Sequence, residues 1–379
     1  MKKIACFAYV KDGDDLWVSH FKFNGLYKIN LSSGNVEFMG RFLYYGEQEN
    51  QIHSCAQKYG NQLYFFPQNA DNVDIYDIST GEFCSVKLPV KDKVLQKVIV
   101  ETFRYDDTCV MVPRFADVPL MILSLSDNKT IECINLQESN KRVKEDSKNL
   151  TLYACEVNHV IYFPIKDTNC IGSYDLNKRE EKIYILSEIE KVVGDIKADG
   201  NDFWINADNG IYKWNPSTNI LRFICDCSSE KESWIENFIM YGDMVICVPR
   251  WLNNIKIIDK KTLKQTDIRI DINSLHGNID TPWRDIKGCF IWGNELVILP
   301  VRYKETIFLN LDSFQVSLKE YTSDECMFLL SSLSMKEENE DNLCEFLSYI
   351  DNGICKRSEY EKNTGDRIWE AIADNGSDK

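Results

Sequence analysis

The chain has 379 residues, 44% of them hydrophobic and 12% aromatic, with a formal net charge of -15. That is ample for a large packed core, and the acidity argues against a nucleic-acid phosphate backbone as partner. The opening Met1-Lys2-Lys3-Ile4-Ala5-Cys6 has no long apolar core, and the run Met327 to Leu330 is far too short to cross a bilayer, so neither export nor a membrane is expected.

The 14 cysteines are therefore expected to stay reduced in the cytoplasm. Those inside apolar runs, such as Cys109, Cys247 and Cys289, act as small hydrophobes. In chain order, one phrase recurs: a turn pair, then an alternating apolar run, often closed by proline. It runs from Asp14 to Ser19, Asn61 to Pro67, Asp107 to Pro113 and His159 to Pro164. It returns from Asp202 to Ala207, Asp243 to Pro249 and Asn294 to Pro300. The copies end roughly 42–51 residues apart, the period of a four-stranded propeller blade.

A second phrase follows most copies: Gly25 to Asn30, Val73 to Ile78, Ile171 to Leu176, Gly210 to Asn215 and Ile255 to Asp259. Tight turns come next, at Ser32-Ser33-Gly34, Ser79-Thr80-Gly81 and Pro216-Ser217-Thr218, and a last short strand closes the unit. Each unit thus holds strands a, b, c and d as a meander. One such sheet cannot bury both of its faces, but seven arranged radially can. A β-sandwich or a pair of small barrels has no place for a seven-fold repeat. Residues 1–325 are therefore expected to form an all-β, seven-bladed β-propeller of four-stranded antiparallel blades.

Residues 326–379 change pattern and are expected to form a short C-terminal α-helical extension. Ser334-Met335-Lys336-Glu337 fits a capping box, and Leu343, Phe346, Leu347 and Ile350 make one helical stripe ending near Gly353. Ile368, Trp369 and Ile372 suggest a second short helix. These helices either pack on the propeller or dock a partner.

Antiparallel strands put the b–c and d–a connections on one face and the tight a–b and c–d turns on the other. Long d–a connections, near 43–53, 136–150, 226–233 and 271–284, make the first face the candidate for binding. After strand b it carries His20, Lys22, Arg114, Lys166, Arg250, Trp251, Arg302 and Tyr303, with Phe21 and Phe115 beside them. Its d–a connections add His53, Trp234, His276, Trp283 and Arg284. Arginine offers paired donors to carboxylate or phosphate, and indole offers a stacking surface. The pattern suits a protein partner or a small anionic or sugar-like ligand over the central channel. The structural alternative is that these residues cap carbonyls or pair between blades.

Catalysis is the second reading: a lyase or hydrolase using His53 or His276 with a carboxylate such as Glu47, Glu49 or Glu236. No spacing motif supports it. His159 falls on an a–b turn at the opposite face. Cys225-Asp226-Cys227 has no second pair at zinc spacing, so neither a metal nor a cofactor is expected.

Leu16-Trp17-Val18-Ser19 followed by Gly25-Leu26-Tyr27-Lys28-Ile29 resembles the repeats of streptogramin B lyase-type and NHL-type bacterial propellers. The resemblance implies the seven-bladed fold. Lyase-type members hold a metal with His and Glu on one face; no residues here match that set position by position, so the activity does not carry over.

Overall fold

The seven copies of the first phrase are the second strands of seven sheets. The computed structural model describes residues 2–3, 6–21, 24–45, 51–90, 98–144, 148–226, 234–252, 254–271, 286–301 and 305–323. Strand b of blades 1 to 7 is Asp15–His20, Gln62–Pro67, Thr108–Pro113, Val160–Pro164, Asp202–Ala207, Met244–Pro249 and Glu295–Pro300. Each lies second in a four-stranded antiparallel meander built from consecutive strands. The chain is a seven-bladed β-propeller.

Strand b is apolar on both faces because a neighbouring blade covers each one. Its residues are buried from the second onward in six of the blades. Seven hydrophobic clusters result, each shared by two adjacent blades. One of them, with Leu16, Val18 and Ile29 of blade 1 against Val297, Leu299 and Phe308 of blade 7, closes the ring. Each such side chain contributes about 1.5–3 kcal/mol of transfer free energy on burial. A two-stranded clasp, Lys2–Lys3 against Thr322–Ser323, lies beside this junction.

The a–b turns have two residues each, and the first takes a positive φ, as at Gly60 (57°) and Gly293 (61°). Blade 4 uses Asn158 (52°) and His159 (65°) there instead. At the c–d corners an Asn or Asp side chain accepts the backbone N–H two or three residues on: Asn30, Asp77, Asp175, Asn215, Asp259 and Asn310. The connection between blades 3 and 4, expected as an open loop, contains one helical turn, Gln137–Asn140. The helical extension at 326–379 lies outside the described residues.

Candidate functional site

The innermost strands a pack side by side around the axis. They are Cys6–Asp12, His53–Tyr59, Ile99–Tyr105, Cys155–Val157, Val192–Asp199, Ile235–Tyr241 and Ile286–Trp292. In every blade but the fourth, strand a slips register near its start. Such a bulge re-aims side chains at the point where it occurs. The slips fall beside Ser54, Glu101, Asp195, Glu236 and Lys287, and all five line a central bore of about 340 Å³ with Tyr9, Tyr153, Lys197 and Cys289.

Several of these groups also lock blades together. Asp195 accepts the N–H of Ile196 (2.8 Å) and, across the boundary to blade 6, that of Phe238 (2.8 Å). The Ser54 hydroxyl has one proton to donate and lies within hydrogen-bond reach of Pro67 O (2.9 Å) and of Ile99 O of blade 3. Tyr9 of blade 1 donates to Cys289 O of blade 7 (3.3 Å). A Cβ at 288 would lie 2.5 Å from the Tyr9 hydroxyl oxygen, so any larger residue there must displace the Tyr9 ring.

Burial pushes the Asp195 carboxyl up to about 7, against the pull of Lys197 and the two backbone N–H groups. Glu101 is also raised by burial, opposed by the Thr102 N–H and by Lys197 and Lys287. Burial works against the charge of Lys197, yet Asp195 and Glu101 together hold its pKa above the ordinary amine value. The thiols of Cys55, Cys155 and Cys289 are raised by burial and stay protonated.

At the b–c/d–a face beside blades 4 and 5 lies a second cavity, of about 350 Å³, lined among others by Tyr153, Lys166, Lys191, Asp208 and Trp234. Arg250, the first residue after strand b of blade 6, donates its N–H to Trp234 O (2.8 Å). Its guanidinium carbon lies 4.3 Å from the Trp234 ring centre and 5.5 Å from that of Trp251. Trp234 Nε1 donates to the Tyr153 hydroxyl (2.6 Å), which donates to Glu236 Oε2 (3.0 Å). Tyr153 lines both cavities, so this relay runs along the wall between them. Lys166 pairs with Asp167 (2.5 Å).

The structure thus gathers Lys166, Trp234, Arg250 and Trp251. It keeps Arg114 elsewhere: on blade 3 the guanidinium donates to Asn149 Oδ1 (2.9 Å) and sits 5.3 Å from the Phe115 ring centre. Arg114 and Arg250 share a backbone position, each N–H bonded to the chain entering its own strand a, but Gln68 and Asp208 hold that position in blades 2 and 5. The basic recurrence therefore does not run round the whole ring.

His20 and His53, expected on the open face, are interior. His20 is 3% exposed, with its ring 5.6 Å from that of Tyr27. His53 is fully enclosed between Ser19 Oγ (2.8 Å from Nδ1) and Asp74 Oδ2 (2.9 Å from Nε2). As the first residue of strand a it points into the boundary of blades 1 and 2, against Phe42 and Phe65. Burial lowers its pKa despite Asp74, so it is neutral and out of reach of a substrate. His159 lies on the opposite-face turn, against Tyr105. Lys22, Glu47, Glu49, Cys227, His276, Trp283, Arg284, Arg302 and Tyr303 lie outside the described residues.

The bore is not among the expectations from sequence, although Glu101, Asp195, Lys197, Glu236 and Lys287 mark it as charges inside the strands nearest the axis.

No family model and no curated protein matches the chain. Among solved structures it is similar to PorZ of Porphyromonas gingivalis, described as an essential bacterial surface component of the type-IX secretion system. There the identity is 12% over 85% of this chain and 39% of that one, with a TM-score of 0.57; the chain thus spans about two fifths of PorZ. It is similar also to virginiamycin B lyase of Staphylococcus aureus (12% identity, 79% and 93% of the two chains, TM-score 0.59). A third is BamB of Moraxella catarrhalis (10% identity, 84% and 88%, TM-score 0.52). At these identities the likeness is one of fold, which is where the lyase-type character of the repeats finds its match.

Proposed function

We propose that the chain is a non-catalytic recognition propeller. It binds an anionic or sugar-like group, presented by a protein partner or a small ligand, on the b–c/d–a face beside blades 4 to 6. The observation that carries this is Arg250, stacked on Trp234 and Trp251 at the edge of a cavity that also holds Lys166 and Lys191. The flanking indoles order the guanidinium before a ligand arrives, which lowers the entropy cost of engaging it. Asp208 adds a buried Oδ1 with no hydrogen-bond partner among the described residues, ready for a ligand hydroxyl or amide.

Both a lyase and a secretion-system component stand among the fold neighbours, so the fold does not choose between enzyme and binder. The enclosure of His53 counts against acid–base chemistry built on it. A reducing, cytoplasmic setting fits the exposed free thiols of Cys84 and Cys133.

The test is calorimetric titration with hexaglutamate peptide, the protein-like arm, and with glucuronic acid, the sugar arm. One of them is expected to bind saturably. Arg250→Ala and Trp234→Ala should each weaken that binding by about tenfold or more, whereas Arg114→Ala should change it less than about twofold. Binding of neither probe, or loss only in Arg114→Ala, overturns the assignment.

A further inference from the structure

We infer that the central bore is a second ligand site, which holds a small oxyanion between Lys197 of blade 5 and Lys287 of blade 7. It is separate from the mouth site proposed above and does not depend on it. Its volume of about 340 Å³ accommodates a sulfate, phosphate or short carboxylate with its waters.

Three observations converge on an anion. Lys197 is exposed to the bore, and its attraction to Asp195 and Glu101 acts through space rather than through a direct hydrogen bond. Its ammonium protons therefore face the lumen. Glu101, from blade 3, feels both Lys197 and Lys287, which places the two cations around the same space. Finally, the acids that oppose them are committed elsewhere or reluctant to ionise. Both Asp195 oxygens accept backbone N–H groups, Glu236 accepts the Tyr153 hydroxyl, and burial raises the proton affinity of Asp195 and Glu101.

The remaining titratable groups facing Lys197 add no negative charge near neutrality. Tyr9 and the thiols of Cys55, Cys155 and Cys289 are all held in their neutral forms by burial. A cation is the poorer fit, because two ammonium groups line the space. Among the described residues no cluster of three His, Cys, Asp or Glu side chains is arranged to hold a metal. An arriving anion stabilises the protonated forms of Asp195 and Glu101, so binding takes up protons and is tighter at lower pH.

The probe is sulfate, whose charge stays constant between pH 6 and 8, titrated into the full chain at low ionic strength. Saturable binding is expected, several-fold tighter at pH 6 than at pH 8. Lys197→Met or Lys287→Met should weaken it by about tenfold or more. Arg250→Ala, at the mouth, should leave it unchanged. Glu101→Gln should strengthen it at pH 8 and flatten its pH dependence.

If Lys197→Met does not fold, the wild-type protein decides the matter. Titration in two buffers of different ionisation enthalpy must show net proton uptake, and zero uptake or proton release sinks the inference. No saturable binding below about 10 mM, a weak limit for any specific site, also overturns it. So does binding that survives both lysine changes and is lost in Arg250→Ala. That last result would put the anion at the mouth and so support the mouth reading while removing this one.

Discussion

Among the hydrogen-bonded side-chain relays that cross blade boundaries, two differ most usefully in what surrounds them. Ser19–His53–Asp74 joins blades 1 and 2, and no member is more than 1% exposed. Trp234–Tyr153–Glu236 joins the entry to blade 4 with the entry to blade 6, along the wall between two cavities. The first has the residue types of a hydrolytic triad and no route to a substrate. The second has no catalytic signature, yet both cavities come within its reach. Access decides which polar cluster can act on another molecule; residue type alone does not.

The sealed relay should break hardest. His53→Ala removes the partner of both Ser19 and Asp74 and opens a void among Phe42 and Phe65. It should cost about 3–5 kcal/mol of unfolding free energy, as expected for a broken buried polar pair. The urea midpoint measures it, and the protein that remains folded should bind at the mouth as before. A cost under about 1 kcal/mol would erase the distinction between a sealed and an open relay.

The bore answers to pH. The Asp195 carboxyl titrates near 7 when folded, against an ordinary value of 3.8. Between those values the folded chain keeps a proton that the unfolded chain has released. Stability present near pH 4 is therefore lost as pH rises through 7, by at most about 4–5 kcal/mol at 1.4 kcal/mol per unit. Glu101 acts in the same direction. Asp195→Asn imitates the protonated form, so the gap between wild type and variant should change steadily between pH 4.5 and 7.5. A gap that stays constant in urea melts across that window would contradict the raised carboxyl.

The open relay should yield more gently. Tyr153→Phe leaves Trp234 Nε1 and Glu236 short of a partner, but water from either cavity can replace the hydroxyl. A cost of about 1 kcal/mol is expected. The more telling readout is ligand binding at the mouth, which should weaken in Tyr153→Phe and stay intact in His53→Ala.

The ring was legible because strand b is apolar on both faces and bounded by turn residues seven times over; runs such as Leu63 to Phe66 or Val245 to Val248 have no other reading at that period. The mouth was partly legible. Trp234, Arg250 and Lys166 meet as a radial arrangement requires, but Arg114 shares Arg250's backbone position while its side chain is taken up by Asn149. Backbone position follows from the repeat; the side chain's direction depends on neighbours that no repeat specifies. His53 could not be placed for a related reason: one residue separates a loop imidazole from one that begins strand a and turns inward. The bore was legible only as charged residues inside the innermost strands; the bulges hid which of them face the axis, because a register slip leaves no mark in the hydrophobic alternation.

The smallest effect makes the sharpest contrast with Asp195. Asp175, at the c–d corner of blade 4, also accepts two backbone N–H groups, from Asn177 (3.0 Å) and Lys178 (2.9 Å). It is only partly buried at the rim, so the Lys178 N–H and the Lys178 ammonium lower its pKa, where burial raises that of Asp195. The sign of the linkage reverses with it. Asp175 adds stability above its ordinary pKa of 3.8 and loses it as pH falls through its lowered folded value. Asp175→Asn should therefore match wild type near pH 2 and fall slightly below it at pH 6, while Asp195→Asn gains on wild type over the rise from pH 4.5 to 7.5. If both variants drift in the same direction with pH, desolvation is not what separates the interior of this ring from its rim.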